Sequence, residues 1–333
     1  MARRRAAART RRAHPIGPRP DVGVPLHQPL RSAHGRPVPA GGGGGGMKFP
    51  VDRDTRRRWF DFIMSGATLL CVALALLPLG SILFEALVRG APALTPTFLT
   101  QSSLMGGIAN AIQGTVVLIG LTALVALPVG ILTGIYLSEY GKNRLGGIVR
   151  LFVDVMTQTP SIVVGIFAYS FIFELSLLGF FPPPLVFSVI SAVIALATIM
   201  IPIVARTSEE AMRLVPTSAR EAALALGIPR YRAILRVVLP SCASALVTGA
   251  LLGIARVGGE TAPLIMTAAW NNDFFNGLNQ PIAALPTQVY RFAVSPSLAE
   301  NRAAWGASLI LVLLMLSISI ASRAVIRMRA VRR

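Results

Sequence analysis

Apolar positions in this chain run in long unbroken blocks instead of alternating with polar ones. Six blocks, at about 62–88, 109–138, 149–174, 185–205, 241–269 and 303–323, are each around 20 residues or longer. About 20 apolar residues suffice to cross a bilayer as a helix. The pattern predicts an all-α polytopic membrane protein with six transmembrane helices. Pro78, Pro128, Pro160 and Pro202 fall inside these blocks and are expected to interrupt them, accompanied by Gly130, Gly134 and Gly165. Such breaks are tolerated where neighbouring helices or water satisfy the freed backbone groups. They suit a bundle that bends, and they equally suit the ordinary Gly and Pro content of membrane helices.

One connector departs from this pattern. Between the fourth and fifth blocks, residues 206–240 are partly polar and carry strong helix punctuation. Pro216 should end the preceding helix. Ser218 and Glu221 have capping-box spacing. Ala219–Leu226 favours helix, Gly227 suits a left-handed C-terminal position, and Pro229 suits the first turn of a second helix over about 230–238 that stops at Pro240. The expected product is a helical hairpin with Ala222, Ala223 and Leu226 on one face. Small residues permit close approach of another surface, so the hairpin reads either as a docking knob or as an ordinary amphipathic loop.

Charge then orients the bundle. The 333 residues have a mean hydropathy of +0.64 and a net charge of +18. Residues 1–46 hold nine Arg and one Asp, are rich in Pro and Gly, and end in six glycines. That stretch cannot bury a core and is expected to be disordered. Met47 opens a string that resembles a natural N-terminus, so 1–46 is either an upstream start-site artefact or a flexible tail. It lacks aromatic stacking residues, which argues against nucleic-acid binding. With the N-terminus inside, the inward segments carry 19 basic residues and the outward ones only Arg89, Arg291 and Arg302. That asymmetry places both termini and the 206–240 connector in the cytoplasm.

The chemistry available inside the spans is sparse. His14, His27 and His34 all lie in the first 46 residues, and Cys71 and Cys242 are far apart, so no metal site, disulfide or catalytic centre is expected. Arg256 and Glu260 are one helical turn apart in the fifth block and should share a face. An Arg inside a membrane helix is costly and is normally kept for a pathway or a buried pair. If Glu260 neutralises Arg256, Arg206 leaves net positive charge, and a guanidinium suits an oxyanion. Arg150 and Asp154, also one turn apart, are expected to pair at the surface. Trp270, Phe274, Phe275 and Tyr290 in 270–302 are expected to form an aromatic interfacial belt or a docking surface.

Glu221-Ala222-Ala223, Gly227 and Leu239-Pro240 together resemble the EAA loop of ABC-type importer permeases, with Val237 where that family usually has Ile. The resemblance implies that Glu221, Ala222, Ala223 and Gly227 contact a cytoplasmic ATPase and transmit its closure. No G-x-x-x-x-G-K-[ST] occurs, so the ATPase must be a separate polypeptide and this chain is not expected to be an enzyme. The strings 134–140, 160–165, 206–210 and 255–264 are jointly similar to the phosphate-specific permeases of PstA type, and Ala262-Pro263-Leu264 favours these over the PstC type. The similarity covers roughly 47–326.

It implies the ABC type-1 permease fold in a bacterial inner membrane. The divisions are a tail (1–46), a first helix and outside loop (47–106), a permease domain (107–326) and a basic tail (327–333). Implied partners are a second, PstC-like permease, two ATP-binding subunits, an extracytoplasmic phosphate-binding protein and membrane lipid, with no cofactor. Arg206, Arg256 and Glu260 are the candidates for the anion pathway. Sulfate or molybdate transport, or a scaffold reporting phosphate status, are the rival readings.

Overall fold

The computed structural model describes residues 52–180 and 183–331, so the disorder expected for 1–46 lies outside the described residues. The chain divides into two compact units, Met1–Met64 and Ser65–Arg333. In the first, Trp59 and Phe62 meet edge to face with ring centroids 6.5 Å apart. The second unit carries the bundle.

Among the described residues every regular element is helical. The long helix α1 (Asp52–Gly90) and the short α2 (Pro96–Thr100) lead into α3 (Ala109–Glu139). Next come α4 (Arg144–Gln158), α5 (Ser161–Leu177) and α6 (Val189–Arg213). The connector holds α7 (Thr217–Ala225) and α8 (Arg230–Ala233), followed by a π-helical turn at Ile234–Val238 and then α9 (Leu239–Gly258). The chain ends in α10 (Ala262–Thr267), α11 (Leu285–Ala293) and α12 (Leu298–Val331). The basic stretch from 327 thus continues α12 as helix to Val331.

Among the described residues five helices are long and apolar enough to cross a membrane, and a bent pair makes six when counted as one span. That pair is α4 with α5, which turn by 110° at Thr159-Pro160, so the interruption expected at Pro160 within the 149–174 block is found. Pro160 has no N–H and pushes Thr159 into extended backbone (φ −70°, ψ 131°), so the helix cannot pass through it. The other three prolines do not interrupt their helices. Pro78, Pro128 and Pro202 lie inside α1, α3 and α6.

The core is built on α3, α6 and α9. Leu118, Ala126, Leu196, Met200, Val204 and Val257 are buried together there. Glycines set the spacing. A Cβ on Gly130 would stand 2.7 Å from Val204 Cβ, and one on Gly134 2.5 Å from Ser208 Cβ. The constant offset of these pairs makes α3 and α6 run parallel. Gly253 faces Val204 and Met200, and Gly249 faces Thr207, so α9 runs antiparallel to α6. Gly130 and Gly134, expected beside bends, instead permit close helix contact. The outward-turned faces of α1 and α5 are apolar and exposed, as lipid or a partner helix requires.

Candidate functional site

The connector is a helical hairpin at one end of the bundle. α7 closes in a Schellman motif: Gly227 N–H donates to Leu224 O (2.9 Å) and Ile228 N–H to Ala223 O (3.2 Å). Gly227 is left-handed, with φ +75° and no neighbouring heavy atom within 4 Å of where a Cβ would sit. Gly227→Ala therefore meets only backbone strain, and it should cost about 1 kcal/mol, seen as a lower unfolding temperature of the purified chain in detergent.

Three expectations for this hairpin are corrected. Pro216, not Ser218, occupies the N-cap, and no side chain caps the helix. Ser218 stands inside the first turn, where its hydroxyl no longer faces the orphan donors, so the capping box with Glu221 does not form. The second helix does not stop at Pro240. The π-turn widens the hydrogen-bond ladder, and Pro240 sits in the first turn of α9, where its missing N–H costs little. Nor do Ala222, Ala223 and Leu226 share a face. Ala223 is buried against the bundle, whereas Glu221, Ala222 and Leu226 are exposed, Leu226 at 81%.

Beneath the hairpin lie two buried carboxylates. Glu139, the last residue of α3, accepts from Arg220 Nε at 2.9 Å. Arg220 also donates Nη1 to Val215 O (2.8 Å), just past α6, and Nη2 to Met212 O (2.7 Å), in its last turn. Arg230 donates to Glu139 O and lies over the Tyr140 ring, 4.7 Å from its centroid. The second carboxylate, Glu209 in α6, is 3% exposed. Arg150 of α4 grips it through Nε (3.2 Å) and Nη2 (2.7 Å), and Arg213 joins from the next turn.

The surface pair expected between Arg150 and Asp154 is therefore absent. Arg150 takes Glu209, and Asp154 takes Arg206. Both side chains project from one face of α4 toward α6, where an oppositely ordered set waits; two interhelical pairs replace one local pair. Arg206 is also bound by Glu210 at 2.9 Å. The expectation that Arg206 leaves uncompensated positive charge is corrected: two carboxylates of its own chain surround it.

Arg256 Nη1 and Glu260 Oε1 are 2.6 Å apart. Glu260 is 5% exposed, while the Arg256 side chain is 57% exposed. α9 has already ended, with Gly259 as its C-cap, but the turn from Glu260 N–H to Val257 O (3.1 Å) preserves the spacing. The helix register separates the two arginines. Gly249 faces Thr207 and Gly253 faces Val204 and Met200, so on the antiparallel α9 Arg256 stands about level with Met200, and Arg206 is six residues further along α6. At 1.5 Å per residue their axial offset is about 9 Å. At the far end, Trp270 and Tyr290 are about half exposed, Arg291 lies over the Trp270 ring, and Phe275 packs partly into the core. The buried roles of Glu139, Glu209 and Arg220 went unread in the sequence, where only a preference for acids to avoid a helix C-terminus hinted that Glu139 needs a cation.

A family model described as "Binding-protein-dependent transport system inner membrane component" matches residues 126–330. Among curated proteins, the chain is similar to the phosphate transport system permease protein PstA of Haemophilus influenzae, at 36% identity covering 80% of this chain and 94% of that one. The protein of the same name from Yersinia pestis is 39% identical, covering 73% and 82%. A probable phosphate transport system permease protein PstA of Methanocaldococcus jannaschii is 34% identical, covering 83% and 96%. Among solved structures, a chain of a bacterial ABC transporter involved in import of the acidic polysaccharide alginate has a TM-score of 0.57 at 16% identity, covering 82% of this chain and 98% of that one. That likeness concerns the fold.

Proposed function

Because this chain belongs to the family of binding-protein-dependent inner membrane transport components and groups with its PstA phosphate permeases, we propose that it is a permease subunit of an ATP-driven importer of inorganic phosphate. The observation that carries the reading is similarity along nearly the whole length of the PstA relatives. The chain supplies a pathway and a mechanical linkage, while nucleotide hydrolysis belongs to a partner ATPase and substrate delivery to a binding protein.

The finer assignments follow from this reading. A PstC-like permease completes the bundle, two ATP-binding subunits sit beneath it, and both termini face the cytoplasm. The permease domain spans 107–326, preceded by the first helix and outside loop. Glu221 and Ala222 present the exposed contact to the ATPase, Ala223 seats the hairpin on the bundle, and Gly227 makes its bend. Arg256 and Glu260 line the anion path at one level and Arg206 at another, about 9 Å apart along the bundle. Support for this comes from the half-exposed guanidiniums beside a helix-packed core; a guanidinium paired in the resting chain can exchange its carboxylate for a phosphate oxygen.

The test is reconstitution with the co-assembling subunits in vesicles. Labelled phosphate should accumulate only with ATP, and sulfate or molybdate in excess should compete poorly. Glu221→Lys, a charge reversal on an exposed residue, should leave the chain folded and abolish accumulation. Assembly of a complex with no ATP-driven uptake would favour the scaffold reading, and equal competition by sulfate would favour a different oxyanion.

A further inference from the structure

The hairpin is covalently continuous with α6 and α9, but nothing in the chain order ties it to α3. The structure supplies that tie. Glu139 is the terminal residue of α3, with its side chain 6% exposed. A carboxylate there is doubly disfavoured, by burial and by the free carbonyls of the helix end. Among the described residues its charged partners come from the hairpin: Arg220 Nε at 2.9 Å and, further off, Arg230 at 4.0 Å. Arg220 is itself only 21% exposed at its side chain, and its other two donors cap α6 at Met212 O and Val215 O. One guanidinium thus joins the ends of α3 and α6 to the first turn of α7, immediately beside Glu221. Above it, Gly130 and Gly134 lock α3 onto α6 with no room for a side chain.

We propose that Arg220 and Glu139 form a strap that makes α3 move with the hairpin, so that the ATPase stroke drives the α3–α6 pair as one body. This rests on the hairpin being the ATPase contact. Arg220 is a positioning residue: it touches neither nucleotide nor substrate. Without the strap the hairpin still meets the ATPase and α6, but α3 lags. Hydrolysis then continues while the gate fails to follow.

The test measures phosphate transported per ATP hydrolysed by the reconstituted complex. Glu139→Gln keeps the shape and removes the charge. It should assemble with its partner subunits and keep its ATPase rate within about twofold, while the transport-to-hydrolysis ratio falls about tenfold, the loss of one charge-assisted hydrogen bond. Arg220→Gln strands the buried Glu139 carboxylate and should lower the assembled amount as well as the ratio, and the double variant should recover assembly with a ratio no worse than that of Glu139→Gln. A ratio unchanged in Glu139→Gln, parallel loss of hydrolysis and transport, or additive singles would overturn the strap. If Glu139→Gln fails to accumulate in the membrane, Arg220→Lys reads the same ratio, because it retains the charge but its single nitrogen cannot reach acceptors that Nε, Nη1 and Nη2 hold separately.

Amide hydrogen exchange of the purified permease needs no substrate. Glu139→Gln should speed exchange across 216–227 and in the last turn of α3 together, and unchanged exchange in either would overturn the strap. Wild-type complex without ATP-driven phosphate uptake would count against the permease reading alone, since the exchange experiment still decides the strap.

Discussion

Gly134→Leu should prevent the bundle from assembling. A Cβ at this position would stand 2.5 Å from Ser208 Cβ and 2.7 Å from Ala205 O, the second being backbone that cannot rotate aside. Overpacking of a filled helix contact typically costs 1–3 kcal/mol, and a whole isobutyl group against backbone should reach about 3 kcal/mol or more. Loss of monodisperse protein on size exclusion in detergent is the expected result. Gly120 lies on the same helix with nothing within 4 Å of its notional Cβ. Gly120→Ala should therefore be neutral or stabilising by up to about 1 kcal/mol, because Ala is the better helix former. If both substitutions were tolerated alike, α3 and α6 would not pack as described.

The Arg256–Glu260 pair should respond asymmetrically to mutation. Glu260 is nearly inaccessible and Arg256 is more than half exposed. Removing Arg256 strands a buried carboxylate, which costs about 3 kcal/mol or more, whereas removing Glu260 leaves an arginine that can reach polar surroundings. Arg256→Gln should therefore lower both the assembled amount and transport. Glu260→Gln should assemble normally and lose transport alone. The double variant should recover assembly without recovering uptake. Immunoblotting of the purified complex, with phosphate uptake normalised to assembled protein, checks this. Recovery of uptake in the double variant would make the pair a structural lock with no part in the pathway.

The hairpin illustrates how far local chemistry reaches. Pro216, Gly227 and Pro229 act within a few residues of themselves, and the left-handed turn at Gly227 and the helix before it are found where the spacing puts them. The capping box failed because a shift of two residues at the helix start, imposed by Pro216, moved Ser218 inside the first turn. The stop expected at Pro240 failed because a π-turn upstream absorbed the proline, and nothing in the spacing of Leu239-Pro240 distinguishes a break from an entry.

The pathway arginines illustrate the opposite case. The i,i+4 spacing of Arg256 and Glu260 sufficed for their pairing, since both partners lie on one segment. For Arg150 and Asp154 the same spacing misled, because α6 offered each a better partner across the helix interface.

Runs of apolar residues long enough for a bilayer, and the glycine and proline punctuation of the connector, were properties of the sequence by itself, because each depends on neighbours within a turn or two. Tertiary structure alone decided the partners of Arg150, Arg206 and Arg220, and the axial separation of Arg206 from Arg256. Those outcomes depend on the register between helices. That register is set where Gly130, Gly134, Gly249 and Gly253 let backbones approach, a contact between segments that no local pattern encodes.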